Sequence, residues 1–240
     1  MFEWDVYKFE KLTSTNDKIN FYCVSSGRRI VVKAKYQLQG RGRRGRTWIS
    51  DEGNLFFSIA FEFELNKIGQ LVVLSSLSLL QAIKKLNKSI NVKLKWPNDV
   101  LINDHKVSGI LLEKGEGDYV VIGIGVNIMS SPKSKDILYN TTSLLENGID
   151  ITADEFLDIY LDIFSMYLDE LIKKGFDRIK DKWLDNIKGI GENIVIKQEK
   201  IEEFGILRGI DNNACLLIEQ NGIIKKVFAG DVFYIGRNDE

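Results

Sequence analysis

Residues 40–46 carry the strongest chemical signal in the sequence, with four arginines and three glycines in seven positions, followed two positions later by Trp48. The guanidinium group of arginine is permanently charged and donates hydrogen bonds in a rigid fork that suits carboxylate and phosphate oxygens. Glycine lets a backbone approach a ligand closely and adopt positive φ angles. This segment, which we call the arginine loop, is therefore predicted to surround an anionic ligand.

A second polar cluster lies close to the first residue and consists of Thr13, Ser14, Thr15 and Asn16. Its three hydroxyls and one amide can donate and accept hydrogen bonds to the polar head of a small ligand. The same residues are also typical of an N-cap before a helix that starts at Asp17. The sequence leaves both interpretations open.

A third cluster combines Asn98 and Asp99 with Lys106. Pro97 sets a turn after an apolar strand, so that Asn98 and Asp99 present an amide and a carboxylate at the strand end. A carboxylate beside bound phosphates could hold Mg²⁺, which takes oxygen ligands and keeps several waters. Lys106 begins an apolar strand and carries a compact charge that can follow a developing negative charge. For an isolated lysine, a solvated turn residue is the simpler interpretation.

The glycines of residues 123–127 (G-I-G-V-N) form a weaker pattern, because no helix follows them as it does in a dinucleotide-binding fingerprint. Gly123 and Gly125 instead predict close packing or ligand approach within a strand. His105, the only histidine of the chain, lies in a predicted turn and is assigned no role.

The composition is that of a globular protein, with 240 residues of which 44% are hydrophobic and 28% charged. The formal net charge is −1, whereas a nucleic-acid coat usually carries a basic surplus. Cys23 and Cys215 are far apart in sequence, which argues against a zinc site or a disulfide framework. There is no signal-peptide pattern, and no apolar run approaches the ~20 residues of a membrane span. We therefore expect a cytoplasmic protein.

The elements that would position these clusters are of the α+β class. Strands are predicted over 29–35, 54–65, 92–95, 100–102, 106–113 and 119–126, the last three as an antiparallel meander. Apolar residues at helical spacing predict a helix over 68–86. A second helix should begin at Thr152, which has capping-box spacing with Glu155, and end at Gly175, before a short helix over 178–187.

After residue 188 the pattern changes to short strands. Five are predicted, over 192–197, 204–208, 214–219, 223–228 and 232–235. The pair Asn221-Gly222 is a strong hairpin signal, and evenly spaced short strands suggest a small barrel. We therefore predict two domains: residues 1–188 with a mixed, largely antiparallel sheet and helices, and residues 189–240 as a small β-barrel.

Taken together, the clusters resemble those of the biotin protein ligases. The segments that carry the resemblance are 14–16 (STN), 40–48 (GRGRRGRTW), 95–99 (KWPND), 106–111 (KVSGIL) and 125–127 (GVN). Their order and approximate spacing also fit that family, and lipoate-attaching enzymes share its catalytic fold but not this pairing of motifs. The resemblance covers nearly the whole chain and implies a catalytic domain like that of class II synthetases, followed by an SH3-like barrel.

Enzymes of that family form biotinyl-AMP from biotin and ATP and then transfer the biotinyl group to a lysine of a carrier domain. By this resemblance, the expected biotin-binding residues are Ser14, Thr15, Asn16, Gln37, Gly40, Arg41, Gly42, Arg43, Lys106 and Gly109. The expected ATP-binding residues are Arg43, Arg44, Arg46, Trp48, Asn98, Asp99 and Asn127. Lys106 and Arg43 would act at the transferring phosphoryl group, Trp48 would stack near the adenine, and Asp99 would be a ligand of Mg²⁺.

The resemblance also implies a partner, the biotin carboxyl carrier domain of a biotin-dependent carboxylase, and a homodimer, which is common among relatives. The longest family members carry an N-terminal helix-turn-helix repressor domain, whereas here the 14–16 segment comes almost at the start of the sequence. We therefore expect a ligase that binds neither DNA nor membranes. Two alternatives remain: a lipoate ligase or lipoyl transferase of the same fold, and a nucleic-acid-binding module that places the arginine loop on phosphates.

Overall fold

The computed structural model describes residues 3–23, 27–133, 140–198 and 201–235. Within these ranges the chain forms a seven-stranded sheet, a five-stranded sheet and four α-helices. The strands of the larger sheet are β1 (Asp5–Leu12), β2 (Ile30–Gln37), β3 (Leu55–Glu62), β4 (Val92–Lys95), β5 (Asp99–Ile102), β6 (His105–Lys114) and β7 (Tyr119–Val126). The α+β class predicted from the sequence is confirmed.

The larger sheet has the strand order β1-β2-β3-β7-β6-β5-β4. Strand β1 pairs in parallel with β2, and the other neighbours pair antiparallel. The sheet is therefore mixed but largely antiparallel, and β5, β6 and β7 form the predicted meander. Strand β1 was not predicted. Asp5 pairs with Ile30 and Leu12 with Gln37, each 25 residues downstream, so the pairing of β1 depends on contacts that are distant in sequence.

The four helices are α1 (Thr15–Ile19), α2 (Ile68–Leu86), α3 (Ala153–Lys174) and α4 (Asp177–Leu184). The bounds of α2 match the prediction, and α4 ends three residues earlier than predicted. The capping box of α3 is formed, because the Thr152 hydroxyl accepts from Glu155 N and the Glu155 carboxylate accepts from Thr152 N. Gly175 ends α3 with φ +80°, a backbone conformation that favours glycine.

The side chains of β7 alternate between the two faces of the larger sheet, and each face packs against a different cluster of residues. Ile122 and Ile124 point into the main core, which is shared with α2 and α3. Tyr119 and Val121 point to the opposite face and pack in a smaller cluster with Ile19 of α1. The next residues on that face are glycines, so the sheet surface beside α1 is left open.

The smaller sheet consists of β8 (Asn193–Lys197), β9 (Glu202–Ile210), β10 (Leu216–Gln220), β11 (Ile223–Val227) and β12 (Asp231–Tyr234). Its order is β11-β10-β9-β8-β12, with antiparallel neighbours. Asn221 and Gly222 both have positive φ and form the predicted hairpin turn between β10 and β11. The outer strands do not pair with each other in the described ranges, so the sheet is consistent with an SH3-like barrel that is not closed.

Two hydrogen bonds join the smaller sheet and its loops to segments that precede it in the chain. Trp96 Nε1 donates to Ala214 O at 3.1 Å, and Tyr234 Oη donates to Lys188 O at 3.1 Å. The start of β12 lies close to the arginine loop, as described below. No helix in the described parts of the chain is long and apolar enough to cross a membrane.

Candidate active site

A cavity of about 500 Å³ opens on the α1 face of the larger sheet. It is lined by α1, the end of β2, the arginine loop, strands β5 to β7, the segments around Pro132 and Thr141, and the start of β12. Its predicted lining residues are Ser14, Thr15, Asn16, Gln37, Arg41, Gly42, Arg43, Arg46, Trp48, Asn98, Asp99, Lys106, Gly109 and Asn127. The structure therefore brings together clusters that are separated by up to about a hundred residues in the sequence.

Two glycines form the floor of this cavity. Gly109 of β6 and Gly125 of β7 lie directly opposite each other in the strand register. The Trp48 ring rests on this pair: a Cβ at Gly109 would lie 2.8 Å from Trp48 Cζ3, and one at Gly125 would overlap the indole. The sequence interpretation of Gly125 as a point of close approach within a strand is thus consistent with the structure.

Trp48 also offers a hydrogen-bond donor to the cavity. Its Nε1 atom is buried and has no hydrogen-bond partner among the described residues. A buried donor without a partner costs about 1–3 kcal/mol, and a ligand acceptor would remove that cost. The Lys106 ammonium lies 5.5 Å from the centre of the same ring, within cation–π range.

The α1 end of the cavity is a network of uncharged polar groups. Gln37 Oε1 accepts from Thr15 N at 2.8 Å and from Thr15 Oγ1 at 3.1 Å. Ser58 Oγ, fully buried in β3, lies 2.8 Å from Thr15 Oγ1 and 2.5 Å from Asn16 Oδ1. Ser14 is the backbone N-cap of α1, but its hydroxyl makes no capping hydrogen bond within the described chain. The helix-cap and ligand-binding interpretations of this segment are therefore compatible.

The arginine loop is a tight hairpin over the other end of the cavity. Trp48 N donates to Gly40 O at 2.9 Å, and Gly42 N donates to Arg46 O at 2.7 Å. At the tip, Arg44 has φ +56°, a conformation that is uncommon for a residue with a side chain. Gly40 is buried at the base, where a Cβ would lie 2.5 Å from Trp48 O, and neither Gly40 nor Arg44 lines the cavity.

Three arginines of the loop converge on one carboxylate of the smaller sheet, Asp231. Arg46 contacts it directly, and Arg43 and Arg44 approach it at 3.6 and 3.5 Å. Arg43 Nη1 also donates to Asn98 Oδ1 at 3.1 Å. Burial lowers the pKa of the Arg43 guanidinium, which nevertheless stays charged at neutral pH. Asp231 thus occupies the position where the loop offers most positive charge.

Lys106 and Asp99 form an ion pair in the cavity wall, with Lys106 Nζ 2.6 Å from Asp99 Oδ1. Strand β6 begins at His105, so the Lys106 stem is held in the sheet, and its side chain is only 19% exposed. The simpler interpretation of Lys106 as a solvated turn residue is therefore wrong. Asn127, on the neighbouring strand end, donates to Thr142 O at 3.0 Å.

The charges around the cavity favour an anionic ligand. Arg41, Arg43, Arg46 and Lys106 line it together with two carboxylates, Asp99 and Asp231. Excess positive charge in a partly enclosed site attracts phosphates and carboxylates, because the surrounding protein screens less than water does.

A metal ion would find few protein ligands here. Among the described residues there is no group of three or more His, Cys, Asp or Glu side chains that could hold one. Mg²⁺ in nucleotide sites is nevertheless held by one or two carboxylates together with substrate phosphates and water. Asp99, a single carboxylate beside the cationic end, fits that mode.

Ser58, Glu113 and Asp231 contact predicted site residues but were not themselves predicted from the sequence. Glu113 at the end of β6 accepts from Arg41 Nη2 at 2.9 Å and from Asn16 Nδ2 at 2.6 Å. Each of the three is a polar residue that directly adjoins an apolar residue of its strand. That is the signal that could have identified them, although it does not say which cluster each would join.

Comparisons with known proteins identify the family of this chain. Residues 6–127 match the model of the biotin/lipoate A/B protein ligase family. The biotin–[acetyl-CoA-carboxylase] ligase of Paracoccus denitrificans is 32% identical over 216 residues, which cover 85% of this chain and 90% of that protein. The bifunctional ligase/repressor BirA of Escherichia coli is 33% identical over 83% of this chain, which spans 64% of its length.

Among solved structures, the biotin protein ligase from Aquifex aeolicus in complex with biotin and ATP superimposes with a TM-score of 0.84. The two chains are 31% identical, and the match covers 95% of this chain and 97% of the other. The family match extends over half of the chain, and the structural match over nearly all of it. This chain belongs to the biotin/lipoate A/B protein ligase family.

Proposed function

We propose that this protein is an ATP-dependent biotin protein ligase, which makes biotinyl-AMP and transfers the biotinyl group to a lysine of a biotin carboxyl carrier domain. The observation that carries the proposal is the composition of the cavity. Uncharged donors and acceptors line its α1 end, and Arg43, Arg46 and Lys106 line its other end. A ligand with a polar, uncharged head and an anionic tail beside a nucleotide matches this distribution.

The polar head belongs at the α1 end. Ser14, Thr15 and Asn16 are at most 4% exposed, and hydrogen bonds with Gln37 and Ser58 orient Thr15 and Asn16. The ureido ring of biotin presents a carbonyl acceptor and two N–H donors, which such a network can match. The same network favours biotin over lipoate, whose dithiolane ring has neither group.

The reaction takes place at the cationic end. An oxygen of the biotin carboxylate attacks the α-phosphorus of ATP, the bond from that phosphorus to the bridging oxygen breaks, and pyrophosphate leaves. Two anions must approach each other, so Arg43, Arg46 and Lys106 neutralise both and stabilise the charge that builds on the phosphoryl oxygens. In the second step, the carrier lysine amine attacks the acyl carbon, loses a proton, and AMP leaves.

Asp99 is the residue proposed to hold Mg²⁺ together with the nucleotide phosphates, and the bound ion would supply further neutralisation of phosphate charge. The ion pair with Lys106 keeps the Asp99 carboxylate in the cavity wall. The arginine loop has a second task, because an acyl adenylate hydrolyses readily. A hairpin that covers the cavity keeps water from the intermediate until the carrier arrives.

A nucleic-acid-binding role for the arginine loop is disfavoured by where its charges lie and by the charge of the whole chain. Arg41, Arg43 and Arg46 line the cavity. A surface that binds a phosphate backbone usually belongs to a domain with a basic surplus, whereas the formal net charge here is −1. We therefore propose a ligase without nucleic-acid binding. We also propose a domain boundary at residue 188 and a homodimer, for which the outer strands of the larger sheet are candidate surfaces.

The proposal is tested by incubating the protein with ATP, Mg²⁺ and radiolabelled biotin or lipoate and separating any acyl adenylate by chromatography. We expect biotinyl-AMP and no lipoyl-AMP. Arg43→Ala should lower the rate of its formation about a hundredfold or more. The matched control is Arg208→Ala, because Arg208 pairs with Glu219 on the smaller sheet, outside the cavity. An adenylate formed only with lipoate would establish the alternative activity, and no adenylate with either acid would refute both.

A further inference from the structure

The base of the arginine loop is tied to the larger sheet through Arg41. Arg41 Nη1 donates to Asp17 Oδ1 at 2.5 Å, and Nη2 donates to Glu113 Oε2 at 2.9 Å. Arg41 also bridges to Thr47 across the two legs of the hairpin. The two carboxylates therefore hold both legs of the loop against α1 and β6.

Glu113 makes a second contact in the wall of the cavity. Its Oε2 atom accepts a hydrogen bond from Asn16 Nδ2 at 2.6 Å. An ionised carboxylate accepts hydrogen bonds and donates none, so it must face the NH₂ end of the Asn16 amide. The carbonyl end then faces Ser58 Oγ at 2.5 Å. Glu113 thereby determines the orientation of the Asn16 amide, with its NH₂ group toward Glu113.

Without Glu113, the Asn16 amide could rotate by half a turn with almost no change in shape, because its oxygen and nitrogen are nearly the same size. Such a rotation would exchange a donor for an acceptor in the polar end of the cavity. Displacement of the whole side chain toward the sheet is blocked, since Asn16 packs directly on the backbone of Gly123, where a Cβ would overlap it.

We propose that Glu113 is a positioning residue that couples recognition of the ligand head at Asn16 to the ordering of the arginine loop through Arg41. The Glu113 carboxylate contacts both Asn16 and Arg41. Its removal is therefore expected to misorient the Asn16 amide and to loosen the arginine loop at the same time. The inference rests on the proposed function and adds to it a residue that orients two binding groups.

Glu113→Ala removes the acceptor for Asn16 and one anchor of Arg41 at once. We expect the KM for biotin in adenylate formation to rise roughly tenfold, as for the loss of one charge-assisted hydrogen bond. The KM for ATP should change little, and biotinyl-AMP should be released into solution several times faster. Glu113→Gln keeps one acceptor oxygen, so its biotin KM should lie between those of wild type and Glu113→Ala.

Two control variants separate the effects. Asp17→Asn weakens the other anchor of Arg41 and leaves Asn16 untouched, so it should speed release of biotinyl-AMP without changing the KM for biotin. Glu10→Gln removes a carboxylate from an exposed ion pair with Lys35, outside the cavity, and should behave as wild type.

The coupling is refuted if Glu113→Ala leaves the KM for biotin unchanged, or raises the KM for ATP as much as that for biotin. If Glu113→Ala does not fold, as judged by circular dichroism, Glu113→Gln decides, and a wild-type release rate of biotinyl-AMP in that variant refutes the proposal. Failure of the wild-type protein to form biotinyl-AMP would refute the proposed function itself, and the two failures are therefore distinguishable.

Discussion

Replacement of Asp231 by asparagine should destabilise the ligand-free protein and, at the same time, increase the stabilisation that ATP provides. Asp231 is 10% exposed and faces three arginines whose side chains are 22–38% exposed. Breaking a buried ion pair costs about 3–5 kcal/mol, and partial exposure reduces that to roughly 2 kcal/mol here. For a protein of this size the melting temperature should fall by about 4–8 °C.

The larger stabilisation by ATP follows from the position of the Asp231 carboxylate among the arginines. A phosphate brought to within about 5 Å of that carboxylate would be repelled by roughly 1–3 kcal/mol, depending on the local dielectric. Removing the charge should therefore tighten ATP binding about tenfold, which adds about 1.4 kcal/mol of stabilisation under saturating ATP. The ATP-induced rise in melting temperature should exceed that of wild type by about 3–6 °C.

The assay is thermal denaturation followed by circular dichroism, with and without saturating Mg²⁺-ATP and in the absence of biotin. Glu219→Gln is the matched control, because it breaks one exposed ion pair with Arg208 on the same sheet. Its melting temperature should change little, and its response to ATP should equal that of wild type. A smaller ATP-induced rise in Asp231→Asn than in wild type would show that Asp231 supports nucleotide binding, and the repulsion argument would then be wrong.

Three further variants test the cavity and the fold. Lys106→Ala should fold normally but form biotinyl-AMP about a hundredfold more slowly, because a preorganised cation is lost, and a wild-type rate would remove Lys106 from catalysis. In Gly123→Ala the added methyl group overlaps Asn16. This variant should lose about 1–3 kcal/mol of stability in urea denaturation and have a higher KM for biotin. An unchanged KM would contradict this packing. The hydrogen bond from Lys8 lowers the pKa of the Asp154 carboxyl below its ordinary value of 3.8. The stability that this ion pair contributes is present above that value and is lost as the pH falls through the lowered pKa. The free energy of unfolding of the wild type should therefore fall more steeply between about pH 5 and 2 than that of Asp154→Asn. Parallel curves for the two proteins would show that the pair contributes nothing.

Much of the fold is predictable from local signals. The apolar spacing over 68–86, the capping box at Thr152 and the Asn221-Gly222 turn each depend on residues close together in sequence, and each is found in the structure. Strand β1 was missed because it carries charged residues on an edge of the sheet and is stabilised by parallel pairing with β2. Such pairing has no local signature.

The candidate site is likewise only partly predictable from the sequence. The composition of the arginine loop and the lysine at the start of β6 indicated an anionic ligand without any structure. The partners of these residues were not predictable, because Glu113 and Asp231 are isolated carboxylates that reach the loop only through the registers of two sheets. The C-terminal sheet was expected as a separate barrel, and its contribution of Asp231 to the cavity depends on how the two sheets meet.

Exchange of radiolabelled pyrophosphate into ATP measures the reversible first step directly. If the carboxylate of biotin attacks the α-phosphorus within this cavity, the exchange requires biotin. We predict exchange with biotin and Mg²⁺, none without an acid or with lipoate, and at least a hundredfold slower exchange in Lys106→Ala. Exchange that proceeds equally well without biotin, or no exchange in its presence, would contradict the assignment of this cavity to biotin adenylation.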